Sequence, residues 1–138
     1  MDVAEFIRDG VDVWNKRDKE AFLAEFDSDC EINAPGGVVL RGRDGAELFW
    51  HGYQDAFPDN HITLRTAFGA SDRGAEEAVF EGTQTGVLLL ADGSRIQPTG
   101  RLVRTSYSAV YQYRGDCIAT SHLYFDRAEL LAQLGVRP

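Results

Sequence analysis

Three groups of residues have the types and spacing that chemistry could use. Near the C-terminus Thr120, His122, Tyr124 and Asp126 fall at alternate positions. On a strand they would share a face and could line one wall of a site. The same alternation allows the opposite arrangement, in which Leu123 and Phe125 pack inside and the polar set looks out. His51 and Asp55 stand at i and i+4, a spacing that on a helix brings them together as a pair or, with His61, as metal ligands. Metal sites need three or four convergent ligands, and no HExxH or HxH spacing is present, so a solvated helix flank is the simpler reading and no metal is expected. The third group is made of groups suited to orienting a ligand: Gln84 inside a Gly-Thr-Gln-Thr-Gly segment, Tyr111 in a long alternating stretch, and Asn33, which could equally serve a turn beside Pro35. Trp50 and Tyr53 belong to an aromatic face with Phe49 and Phe57; most of that face is expected in a core, with one or two rings reaching a ligand.

Periodicity supplies the elements that must hold these residues. Val3, Phe6, Ile7, Val11 and Trp14 recur at three- and four-residue steps, which predicts an amphipathic helix from Val3 to about Lys16, opened by Asp2 and Glu5 as a capping box. A second helix is predicted over Lys19–Phe26 with Asp18 as its cap, then a short strand around Glu31–Asn33 stopped by Pro35-Gly36-Gly37. A third helix is predicted from about Gly45 to Phe57, with Asp44 and Glu47 as a second capping box and Pro58-Asp59-Asn60 as its stop. Beyond residue 60 the period drops to two. Strands are predicted through Ile62–Phe68, Ala78–Phe80, Val87–Leu90, Gly100–Tyr113 and Ile118–Phe125, and a closing helix begins at Asp126 and buries Leu130, Leu131 and Leu134. Three helices followed by about four or five mostly antiparallel strands make an α+β domain, the helices lying on one face of a curved sheet. A sheet closed in this way leaves a cone whose open end suits a small molecule.

The chain has 138 residues, 43% of them hydrophobic and 26% charged, which fits a single domain over residues 1–138. Its 22 acids against 14 Lys and Arg give a formal charge of −8, unsuited to nucleic acid or an anionic membrane surface. The longest apolar run, Val87–Ala91, is far short of the roughly 20 residues of a membrane-spanning helix. The acidic start Met1-Asp2-Val3-Ala4-Glu5 does not read as a signal peptide, so a cytoplasmic protein is expected. Cys30 and Cys117 belong to no metal-type spacing and are expected as reduced thiols.

Four stretches together resemble the SnoaL-like family, the polyketide cyclases and their relatives within the nuclear-transport-factor-2-like fold: Phe57-Pro58-Asp59, Glu81 to Gly86, Gln97 to Arg101, and Tyr124-Phe125-Asp126 through Gly135. The resemblance covers nearly the whole chain, helices included. It implies the cone-shaped fold of that superfamily: three N-terminal helices on a curved, mostly antiparallel sheet, with a short C-terminal helix. For the cyclases it implies a cofactor-free intramolecular aldol closure, with the aspartate matching Asp126 as acid/base. A methylene between two carbonyls is acidic enough for one carboxylate, and an apolar cone would raise that carboxyl toward the working pH. The sequence departs from the pattern at one point: no histidine stands in Ser106–Tyr113, where Tyr107, Tyr111 and Gln112 are found instead. Asp126 also has a structural reading, since Asp126-Arg127-Ala128-Glu129 repeats the capping-box pattern.

Two functions are therefore expected as alternatives. One is a cofactor-independent cyclase or isomerase acting on a hydrophobic, carbonyl-bearing small molecule, with Asp126 catalytic and Asn33, Trp50, Tyr53, Gln84, Tyr111, His122 and Tyr124 binding substrate. The other is a non-catalytic small-molecule-binding or dimerisation module. An epoxide hydrolase-like site using Arg101 or Arg104 between two acids is the lesser reading, because no second acid stands out beside Asp126 on the later strands. A homodimer is expected if the tyrosine ladder Tyr107, Tyr111 and Tyr113 faces outward as an apolar patch.

Overall fold

The computed structural model describes residues 2–136. Helix α1 (Val3–Asn15) buries Val3, Ile7, Val11 and Trp14, and its free N-terminal amides are met by Asp2, which accepts from Glu5 N at 3.2 Å. Arg17, in the left-handed region at φ 62°, turns the chain into α2 (Lys19–Ala24), capped by Asp18, which accepts from Ala21 N at 3.1 Å. The second helix is shorter than its apolar spacing predicts. Phe26 already opens β1 (Phe26–Ala34), which folds back through Gly36 and Gly37, at φ 92° and 76°, into β2 (Val38–Arg41). That hairpin puts two strands among the helices, where the sequence shows only one short apolar segment.

Helix α3 (Gly42–Gln54) starts three residues before the predicted position and has no side-chain cap. Asp44 and Glu47 therefore form no capping box; Glu47 instead pairs with Lys19 on α2 at 2.6 Å. Strands β3 (His61–Ala70), β4 (Arg73–Thr83), β7 (Leu102–Arg114) and β8 (Cys117–Phe125) continue the main sheet, and α4 (Arg127–Gln133) closes the chain. The strand order is β2-β1-β8-β7-β4-β3, antiparallel throughout except for the parallel pairing of β1 with β8. A separate two-stranded ribbon joins β5 (Leu88–Leu89) and β6 (Arg95–Ile96). Among the described residues no helix is long and apolar enough to cross a membrane.

Helix α1 sits directly on the β3–β4 hairpin because that turn lacks side chains where it approaches. A Cβ on Gly74 would lie 2.2 Å from Val3 Cγ1. Beyond the end of β8, Gln133 of α4 pairs with β7 as another strand would, accepting from Arg104 N at 2.7 Å and donating to Arg104 O at 2.9 Å. Both contacts hold helices over the same side of the sheet. That side carries alternate residues of β4 and β7, with Glu76 opposite Ala109, Ala78 opposite Tyr107 and Gly74 opposite Tyr111. The tyrosine ladder thus faces inward, so the condition on which a homodimer through it is expected is not met. Leu102, Arg104, Ser106 and Val110 take the exposed face instead.

Candidate functional site

Between the helices and the curved sheet lies a cavity of about 140 Å³. Its walls are mostly apolar and rich in aromatic rings. Phe6, Trp14, Phe22 and Phe49 come from the helices, Phe80, Tyr107, Tyr111 and Tyr113 from the central strands, and Leu123 and Phe125 from β8. Trp14 packs edge-on against Phe22 at 5.4 Å and against Trp50 at 5.1 Å between ring centroids, an arrangement that aligns ring edges with electron-rich faces.

Two carboxyl groups enter this apolar space, and the cavity lining contains no Lys, Arg or His. Glu76, on β4, is 4% exposed and receives hydrogen bonds from the hydroxyls of both Tyr107, at 3.3 Å, and Tyr111. Burial pushes its carboxyl up from the ordinary value, while the two phenols pull it back down by stabilising the charged form. Glu25 is the residue at which α2 ends. Gly10 of α1 makes room for it, since a Cβ there would lie 2.8 Å from Glu25 Oε1. Its Oε2 is buried with no hydrogen-bond partner among the described residues. Burial first, then the nearby charges of Glu76 and Asp9, pushes the Glu25 carboxyl up to about 8. The phenols of Tyr107 and Tyr111 are raised well above the usual range, by burial and then by Glu76, and that of Tyr53 is pushed up to about 12 by burial.

Of the residues singled out from sequence, Tyr53 and Tyr111 line the cavity. Trp50 is buried against Trp14 outside the lining. Gln84 is fully buried and serves the loop around the small ribbon: its amide donates to Gly86 O at 2.9 Å and Ile96 O at 3.1 Å and accepts from Thr99 Oγ1 at 2.7 Å. On β8 the apolar alternative holds, because Ser121, Leu123 and Phe125 face the cavity. Asn33, His122 and Tyr124 gather instead at a second depression, of about 280 Å³, where His122 stacks on Tyr124 at 6.4 Å. His51 and Asp55 do pair, at 3.0 Å, on an exposed flank of α3. Arg104 pairs with Glu81 at 3.4 Å on the surface, so no guanidinium stands between the cavity's two acids. Among the described residues no three His, Cys, Asp or Glu side chains converge to hold a metal.

Asp126 caps α4, accepting from Glu129 N at 3.1 Å, with its side chain exposed and outside the cavity lining. Asp126→Ala is therefore expected to lower stability by about 1 kcal/mol and Asp126→Asn to leave it nearly unchanged, because asparagine caps as well as aspartate. Urea denaturation of the two variants checks this. An equal loss in both would contradict the capping role.

Glu25 and Glu76 escape a search based on motifs, yet both leave a trace in the pattern. Glu76 alternates with Ala78 and Phe80 on one face of a strand, and Glu25 sits between Phe22 and Phe26 on one side of the helix end. A charged residue at an otherwise apolar inward position was the available signal.

A curved mixed sheet closed by helices around an apolar cavity, with a few polar groups inside, defines the nuclear-transport-factor-2 and ketosteroid isomerase-like class of folds. Within it, the chain belongs to the SnoaL-like polyketide cyclase family, whose sequence profile matches residues 4–134. Among solved structures, it is similar to IdmH, a putative polyketide cyclase from Streptomyces antibioticus, at 25% identity and a TM-score of 0.78, covering 99% of this chain and 100% of that one. A protein of ketosteroid isomerase-like fold from Catenulispora acidiphila, solved in complex with trimethylamine, is 20% identical with a TM-score of 0.78, covering 96% and 93% of the two chains. AclR, a putative hydroxylase from Streptomyces galilaeus, is 20% identical with a TM-score of 0.77, covering 95% and 79%. No curated protein matches the sequence.

Proposed function

We propose that the chain is a cofactor-independent enzyme acting on a hydrophobic, carbonyl-bearing small molecule by general acid/base catalysis, in the manner of a cyclase or isomerase, with Glu76 in the role that the family resemblance assigns to Asp126. The observation that carries this reading is the buried Glu76 carboxyl held by two phenols inside an apolar cavity. Such a carboxylate is poorly solvated, which makes it a stronger base than one in water. It can take a proton from the carbon beside a carbonyl; the C–H electron pair then moves toward the carbonyl oxygen as an enolate. Tyr107 and Tyr111 fix the carboxylate; once Glu76 has taken the proton, either phenol can turn its single O–H from Glu76 to that oxygen as charge develops there. In a ring closure the enolate carbon attacks a second carbonyl, and the resulting alkoxide recovers the proton from Glu76.

Hydrogen exchange at carbon tests this without a known substrate. A panel of apolar ketones and 1,3-dicarbonyl compounds is incubated in D2O with the protein, and deuterium at the α-carbon is followed by NMR. The wild type is expected to accelerate exchange of at least one compound, Glu76→Gln to slow it by about 100-fold, and Asp126→Asn to leave it within about twofold. Loss of exchange in Asp126→Asn with retention in Glu76→Gln would return the role to Asp126. No acceleration by the wild type on any member, together with saturable binding, would favour the binding module.

A further inference from the structure

Glu25 is a half-buried acid that this acid/base reading does not use. Its Oε2 is packed within the protein without a donor among the described residues, and the residue itself lines the cavity, so its carboxyl charge is poorly compensated there. Glu76 keeps spare acceptor capacity, because each carboxylate oxygen has two lone pairs and each accepts one phenol. The lining offers neither acid a cation of its own. Around them stand the faces and edges of Trp14, Phe22, Phe49, Tyr53, Tyr107 and Tyr113. Aromatic faces attract positive charge, and most strongly where water is excluded. An anionic guest would meet two acids, and a neutral apolar one would leave both without a counter-charge.

We infer that the cavity binds compact organic ammonium ions, held by the carboxyl groups of Glu25 and Glu76 with their carbon groups against the aromatic walls. Size limits the guest. A dry cavity of about 150 Å³ accepts a molecule as large as benzene, so the space of about 140 Å³ here takes a cation with a handful of non-hydrogen atoms. The inference goes beyond the acid/base reading and does not require that Glu76 act as a base.

The groups facing Glu25 are Asp9 on α1, Glu76 on β4 and Tyr113 on β7. All are acidic or neutral, so raising the pH can only add negative charge around a bound cation. Affinity for an ammonium ion should therefore rise as Glu25 ionises.

The test uses three probes of nearly equal shape, titrated calorimetrically into the full chain at constant ionic strength: tert-butylammonium, tert-butanol and pivalate. At pH 8 the ammonium is expected to bind at least about tenfold tighter than the alcohol, and pivalate not at all. At pH 6 the ammonium should weaken about tenfold while the alcohol stays unchanged. Glu25→Gln should remove most of the ammonium preference and its pH dependence. Unchanged alcohol binding in that variant would show that the cavity still forms. Should the variant fail to fold, the same comparison in Glu76→Gln is expected to lower the ammonium preference. Equal or tighter binding of tert-butanol or pivalate by the wild type, no ammonium binding, or full preference in Glu25→Gln would each overturn the inference. Exchange at carbon without ammonium preference would sink this inference alone; ammonium preference without exchange would sink only the acid/base reading.

Discussion

Thermal stability is expected to fall as pH is raised from about 5 to about 8, the reverse of what paired surface carboxylates produce. Glu25 has an ordinary value of 4.5 and is pushed up to about 8 in the folded chain. Between those values the folded state holds a proton that the unfolded state has released, so each step up in pH favours unfolding. The stabilisation is fully present below about 4.5 and is gone once the pH has passed about 8. At about 1.4 kcal/mol per pH unit over that window, the single group accounts for up to about 5 kcal/mol. Glu76 is raised as well and adds in the same direction. Asp59, whose carboxyl is held low by Thr83 N at 2.7 Å, acts oppositely, but only under more acidic conditions. Calorimetric melts at pH 5 and pH 8 should therefore differ by about 10 °C or more for a chain of this length. Glu25→Gln should flatten the slope and raise the melting temperature at pH 8. Equal melts at the two pH values, or a rise with pH, would mean that Glu25 is better solvated than its surroundings indicate.

The fold was legible because most of its signals are local. The helical stripe of Val3, Ile7, Val11 and Trp14, the alternation of Val103, Thr105, Tyr107 and Ala109, and the caps at Asp2, Asp18 and Asp126 depend only on neighbours in sequence. The hairpin of β1 and β2 was less visible. Asp27, Ser28 and Asp29 interrupt the apolar pattern where β1 shifts register against its parallel partner β8. The direction of each strand face was legible on β7 only as a choice between two sides. A period of two separates the faces without saying which is covered, and the decision rests on helices packed from elsewhere in the chain. The site suffered most from this. Asp126 drew notice through a family position, while Glu76 and Glu25 lie in segments whose chemistry appears only when β4, β7 and the end of α2 meet around one cavity. Gln84 shows the converse: a polar residue in a telling motif whose amide is consumed by loop carbonyls.

Asn60, which reads in sequence as part of a helix stop, is expected to be among the least replaceable polar residues of the chain. It is 1% exposed. Its Oδ1 accepts from Trp14 Nε1 at 2.7 Å, and its Nδ2 donates to Gln54 Oε1 and to Phe57 O, both at 2.8 Å. Gln54 in turn donates to Trp14 O at 3.2 Å. One amide thus ties the end of α1 to the end of α3 and fixes the indole that walls the cavity. Asn60→Leu keeps roughly the same bulk but orphans the Trp14 N–H and the Gln54 carbonyl, while the Phe57 carbonyl keeps the backbone N–H of residue 60 at 3.0 Å. Each orphaned buried group costs about 1–3 kcal/mol, so a total loss of about 3–5 kcal/mol is expected after partial relaxation. Asn15 provides the contrast. It bonds the backbone of Ile62 at 2.8 and 2.9 Å in a half-buried position where water can replace it, and Asn15→Ala should cost only about 1 kcal/mol. Urea denaturation gives both values. In a double-mutant cycle, Trp14→Phe removes the indole donor, so the loss from Asn60→Leu should shrink in that background. Strict additivity, or a loss below about 1 kcal/mol for Asn60→Leu alone, would show that packing of the rings rather than this amide network sets the cavity wall.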